Sequence, residues 1–134
     1  MVQRRLRFFV AALVLMAPIS FVLAQTSPVS AVPEPVQKLI KDHCLGCHGG
    51  KSPSGHLSLE PDQIPAGILN RPSRGNSAFK LIDTAEPDKS YILMKLRGAD
   101  EIKGGRMPKM RKALKAAEIQ TIADWIKSLA GQGT

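Results

Sequence analysis

Only two cysteines, one tryptophan and one tyrosine occur in this chain of 134 residues, and aromatic residues make up 4% of it. Two cysteines build neither a multi-disulfide scaffold nor a four-cysteine zinc site. So few aromatic side chains give a small core little bulk, and small domains with thin cores commonly depend on a staple or a bound group. Aromatic residues interleaved with basic ones, as single-strand binders use, are missing, and nucleic acid is not an expected partner. No stretch alternates apolar and polar residues as a half-buried strand does. The expected fold class is therefore all-α, with long loops.

Long hydrophobic runs are scarce too. The one candidate, Phe8 to Leu23, is interrupted by Pro18 and Ser20 and falls short of the ~20 residues of a spanning helix. Arg4, Arg5 and Arg7 precede it and Val22-Leu23-Ala24 follow it, which is the order of a secretory signal with its small-residue cleavage site. Residues 1–24 are expected to be a signal peptide, 25–32 a flexible tether rich in Pro, Ser and Val, and 33–131 one domain. Export implies a periplasmic location, with membrane attachment only if the signal stays uncleaved. The formal net charge of +8 becomes +5 once Arg4, Arg5 and Arg7 are set aside. That basic excess favours an acidic protein partner.

Three helices are legible. Val36, Leu39, Ile40 and His43 fall at i, i+3, i+4 and i+7, the stripe of an amphipathic helix that glycines at Gly46, Gly49 and Gly50 should end. "EPDKSYILMKLRG" predicts a second helix, with Pro87 in its first turn, Tyr91, Leu93, Met94 and Leu96 on its apolar face, and Gly98 as its stop. The third runs from about Ala116 to Ala130, with Ile119, Ile122, Ala123, Ile126 and Leu129 on one stripe and Trp125 alongside. Residues 49–86 read as loop with one short helix. Loops this long in a compact domain are commonly functional.

Both cysteines and two of the three histidines lie in "HCLGCHGG", residues 43–50. A Cys44–Cys47 disulfide would close a tiny loop and explain neither His48 nor the loops. A thioredoxin-like pair belongs at a helix N-terminus in a βαβ setting; here the pair ends a helix and no strand is near. Cys44, Cys47, His48 and His56 can be counted as four zinc ligands, but neighbouring Cys47 and His48 rarely close one tetrahedral site. C-x-x-C-H is the attachment signature of a c-type haem. Two cysteines three apart on a helical turn face the same way, so Cys44 and Cys47 suit the two vinyl groups on one porphyrin edge, and His48 the iron. For the opposite iron position the candidates are Met107, Met110 and His56. Met107 is preferred because Gly104, Gly105 and Pro108 surround it with backbone suited to a close approach. His56 lies close behind His48 and reads more plainly as an exposed loop residue.

"CLGCH", then "EPDKSYILMKLRG" and "GGRMP", then "EIQTIADWIKSLA" together resemble the class I c-type cytochromes, most of all exported bacterial monohaem domains. The resemblance covers nearly all the chain after the signal. It implies a small cytochrome c fold of three or more helices and long loops wrapped around one covalently bound haem, with His48 and Met107 as axial ligands. It also implies that Val36, Leu39 and Ile40 of the first helix pack on Ile122, Trp125 and Ile126 of the last. Leu57, Leu59, Tyr91, Leu93 and Trp125 are expected to keep the haem dry. Two departures stand out: Lys115 is a poor cap for the last helix, and the proline carbonyl that receives the histidine's second nitrogen has no clear counterpart, Pro53 being the nearest. The implied function is periplasmic one-electron transfer between redox protein partners, without catalysis of bond chemistry. The alternatives are an electron-accepting subunit of a periplasmic dehydrogenase, or a peroxidase or ligand-binding protein with an open sixth position, for which Arg106 is the one distal polar residue nearby.

Expressed with a haem-maturation system, the purified chain should stay red through acid-acetone extraction, because thioethers do not dissociate. A colourless pellet would refute covalent attachment.

Overall fold

The computed structural model describes residues 32–130 of the chain. The expected signal peptide (1–24) and nearly all of the expected tether (25–32) lie outside the described residues, and among the described residues no helix is long and apolar enough to cross a membrane. Among the described residues five helices carry the fold: α1 (Glu34–His43), α2 (Leu45–His48), α3 (Ile64–Ile68), α4 (Tyr91–Arg97) and α5 (Ala116–Ser128). Two 3₁₀ turns, Ser54–His56 and Pro87–Lys89, complete it. No strand forms among the described residues; the only ladder-like contacts there are isolated bridges, Leu69 with Ile82 and Pro72 with Lys80. The architecture is all-α.

Local chemistry accounts for the helix ends. α1 starts with Glu34 and Pro35 in its first turn and ends with Lys41 and His43 in its last, so both ends complement the helix dipole. Its stripe did not run unbroken into the attachment motif as the apolar spacing predicts. Cys44, at φ −118°, interrupts it, and Leu45–His48 forms a separate turn in which the His48 N–H donates to the Cys44 carbonyl at 2.9 Å. The second predicted helix also divides. Pro87–Lys89 is a 3₁₀ turn, Ser90 is fully buried with its hydroxyl accepting from the Asp83 N–H at 2.9 Å, and α4 begins only at Tyr91. Gly98 closes α4 in the left-handed region at φ 76°, the usual glycine stop. Lys115 offers α5 no side-chain cap, but the Glu118 carboxylate accepts from the Lys115 N–H at 2.7 Å. That is the N3 half of a capping box, which offsets the poor residue at the cap itself.

α5 packs on both α1 and α4. Val36 and Ile40 share one buried cluster with Ile122, Trp125 and Ile126, and Leu39 joins it half-buried, as the two helical stripes require. Met94 is half-buried and not part of this cluster. The segment 49–86 is less loose than its composition implies. Ile64 and Ile68 are buried on α3, and Leu81 donates its N–H to the Arg71 carbonyl at 2.7 Å while Tyr91 donates to Lys80 at 2.8 Å. These bonds pin the long loop to the start of α4.

Ile126 is fully buried between the helices. Ile126→Ala should destabilise the domain by about 2–5 kcal/mol and Ile126→Val by about 0.5–1.5 kcal/mol, measured by denaturant unfolding. Equal, small effects would show that α5 is not packed as described.

Candidate functional site

The helices enclose a cavity of about 350 Å³. Ile40, Cys44, Cys47 and His48 of the first turns line one side, Ile64, Ile68 and Leu81 the middle segment, Tyr91, Ile92 and Leu96 α4, and Ile122 and Trp125 α5. Close-packed interiors hold few voids larger than a water molecule, whereas this volume lies in the range of ligand sites, about 300–1,000 Å³. The wall is mainly aliphatic. Its polar members, among them Ser54, Arg71, Arg74, Lys95, Lys109 and Arg111, are mostly exposed or half-buried.

His48 enters this wall in a defined tautomer. Its Nδ1 lies 3.2 Å from the Leu57 carbonyl oxygen; a carbonyl only accepts, so Nδ1 carries the proton and Nε2 keeps its lone pair. The same segment is tied a second time, since the Leu59 N–H donates to the His48 carbonyl at 2.7 Å. Leu57 therefore takes the orienting role for which Pro53 was the nearest candidate in the sequence. A main-chain carbonyl leaves no signature in residue type, which is why the pattern pointed elsewhere. Gly49 makes the turn behind His48: a Cβ there would come within 2.8 Å of the Leu45 carbonyl oxygen.

Both cysteines are free thiols on the cavity wall, Cys44 half-buried and Cys47 exposed. Burial pushes the Cys44 thiol up to about 11. Reactive redox cysteines need the opposite shift, so the thioredoxin-like reading fails here on chemistry as well as on fold. Among the described residues no group of three or more His, Cys, Asp or Glu side chains is placed to share a metal ion, which leaves the zinc count without a ligand set.

Met107 and Pro108 line the same cavity as His48. Met110 does not; it is 99% exposed. His56 is exposed and also off the wall, although Ser54, Gly55 and Leu57 around it are on it. Gly104 and Gly105, at φ 76° and 74°, have no protein atom within 4 Å of where a Cβ would sit. Their left-handed backbone turns the chain just before Met107, and neither lines the cavity. Leu57, Leu59, Tyr91 and Trp125 are wall residues, whereas Leu93, though fully buried, packs in the helix core away from the cavity. Arg106 is exposed and folds its side chain over Gly98, outside the cavity.

The Met107 loop is held from below by Lys95. The Met107 N–H donates to the Lys95 carbonyl at 2.8 Å, while the Lys95 ammonium donates to the carbonyls of Lys103 at 2.8 Å and Gly105 at 2.5 Å. The Tyr91 hydroxyl accepts from the Lys103 N–H at 2.9 Å. Burial, and then the nearby charge of Lys109, lower the Lys95 pKa. Sequence reading passed over Lys95, which looks like an ordinary basic residue in the last turn of a helix.

A small all-α domain with two thiols, one oriented imidazole and one thioether sulfur around a single apolar cavity defines a haem-binding electron-transfer class. The chain belongs to the cytochrome c family, whose model matches residues 33–130. No match was found among curated proteins or among solved structures. Members of the family bind haem c, and at that level the chain is a haem c electron-transfer protein. The residues present fit such a group on the structure's own terms. The Trp125 indole N–H is buried on the cavity wall with no protein acceptor, an orphan donor of the kind that native interiors rarely leave unpaired.

Lys95→Met keeps the stem and removes the three donors. Amide exchange at Gly104 to Met107 should then accelerate about tenfold, the equivalent of one charge-assisted hydrogen bond, while α1 and α5 stay protected. Unchanged exchange in this loop would show that Lys95 does not hold it.

Proposed function

We propose that the chain is a periplasmic one-electron carrier with a single haem, joined through thioethers to Cys44 and Cys47 and with iron between His48 and Met107. The observation that carries this reading is the sorting of candidates: of Met107, Met110 and His56, Met107 alone shares the apolar cavity with His48. When bound, haem supplies an iron centre that changes between ferric and ferrous states. The chain's own residues do the rest. The Leu57 carbonyl holds the imidazole with Nε2 free for the metal, and the Lys95 clamp holds the loop that carries Met107. Ile40, Ile64, Ile68, Leu81 and Ile122 exclude water, so the added charge of the ferric state is disfavoured. Burial and a neutral thioether ligand both raise the reduction potential relative to an exposed bis-imidazole site.

No proton donor beside the iron position is called for, because no substrate bond is made or broken. Export and an acidic redox partner belong to the same proposal; their support is the signal-like pattern of residues 1–24 and the net charge.

Met107→Ala should abolish the weak long-wavelength ferric band that an iron–sulfur bond produces and admit carbon monoxide or azide. It should also lower the potential by roughly tenths of a volt, the scale on which axial ligands act. Met110→Ala should leave the ferric spectrum as it is. The reverse pattern would assign the sulfur to Met110. No spectral change in either variant would contradict methionine ligation altogether.

A further inference from the structure

Glu60 attracts no notice in the sequence, and among the described residues no cation pairs with it. It is half-buried, and its side chain turns back to the main chain just past His48, where Oε1 accepts from the Gly50 N–H at 3.1 Å. The same oxygen lies 2.8 Å from where a Cβ on Gly49 would sit. Gly49 is at φ −123° and ψ 177°, extended backbone that any residue adopts. Space and not conformation therefore asks for glycine there, and part of that space is taken by the Glu60 carboxylate. Gly50 is left-handed at φ 70°, with no protein atom within 4 Å of where its Cβ would be. The bond from Glu60 is what fixes the exit of this turn.

The backbone of Glu60 is used as well. Its carbonyl accepts from the Gln63 N–H at 2.8 Å and the Ile64 N–H at 3.1 Å, which starts α3, and Ile64 lies on the cavity wall. Beside it, the Leu59 N–H donates to the His48 carbonyl at 2.7 Å and the Leu57 carbonyl receives Nδ1 of His48 at 3.2 Å. Leu57, Leu59 and Glu60 thus grip the imidazole and its turn by three bonds. Leu57 and Leu59 use backbone atoms; Glu60 uses its side chain.

We propose that Glu60 is a positioning residue for His48: by holding the Gly50 N–H it fixes the turn that carries the imidazole, and so sets the angle of the ring about its bond to the iron and the strength of the Nδ1–H bond to Leu57. The inference rests on the reading of His48 as an iron ligand and adds the side chain that aims it. Partners that orient a ligating histidine also tune its basicity. A looser turn weakens the Nδ1–H bond, makes the imidazole a poorer donor and favours ferrous iron.

The test uses the haem-loaded protein. NMR reads solvent exchange of the His48 Nδ1–H in the reduced form and, in the oxidised form, the spread of the haem methyl shifts, which follows the angle of the axial imidazole. Glu60→Ala should accelerate ring exchange roughly fivefold, the scale of one net hydrogen bond, and alter the methyl spread. Glu60→Asp keeps the charge but is one methylene too short, and should do the same. Glu60→Gln keeps reach and acceptor, and should restore both signals. Neither Glu60→Ala nor Glu60→Gln carries the charge, and in one redox buffer Glu60→Ala should hold the larger ferrous fraction. Ring exchange and methyl spread unchanged in Glu60→Asp overturn the inference, whatever that variant's stability, and so does failure of Glu60→Gln to restore them. A His48 ring without iron-induced shifts in the unaltered oxidised protein would instead refute the ligation itself.

Discussion

An apolar cavity inside a domain this small is a liability until something fills it, because its wall atoms lack partners on one side. The cavity of about 350 Å³ is bordered by all the main helices, so none of them buries its apolar face fully against protein alone. α1 and α5 meet along Val36, Ile40, Ile122 and Ile126, and Ile40 and Ile122 also face the cavity. Helix packing and cofactor packing share side chains. That coupling explains how three aromatic residues after position 24, namely Phe79, Tyr91 and Trp125, suffice for a core: the flat group that the family binds supplies the remaining bulk.

Electron transfer asks for a site that changes little when its charge changes, and the polar groups are arranged for that. The imidazole is anchored through its Nδ1 to a main-chain carbonyl, and the loop bearing the proposed sulfur ligand is anchored through Lys95 and Tyr91 to α4. Both anchors take backbone groups of neighbouring segments as partners. Burial pushes the free Cys44 thiol up to about 11. Charge is kept to the rim, where the cations beside Cys47 and Met110 meet solvent.

Much of this was legible from residue order. Cys44, Cys47 and His48 suggest their chemistry by spacing once the rest of the chain is read with them, and the resemblance implies the faces of α1 and α5 that pack. Met107 stood out from Met110 by its neighbours, and its place on the cavity wall agrees. What the sequence hid shares one cause. Leu57 acts through a carbonyl, Lys95 largely through bonds to other carbonyls, and Ile64 and Ile68 through a five-residue helix too short to show a period. Leu93 and Leu96 show the complementary limit: both are apolar on α4, yet Leu96 faces the cavity and Leu93 the helix core. An apolar stripe tells which residues are buried, and only the tertiary arrangement tells against what.

The central claim is that the fold closes around haem and not around itself. Amide hydrogen exchange compares the haem-loaded protein with the Cys44→Ser, Cys47→Ser variant purified without haem. The account predicts slow exchange throughout α1 and α5 in the loaded protein, at the level of global unfolding, and exchange close to that of an unfolded chain in the variant. Equal protection of α1 and α5 in both would contradict it, because the helices would then be packing without the group that the cavity is built to hold.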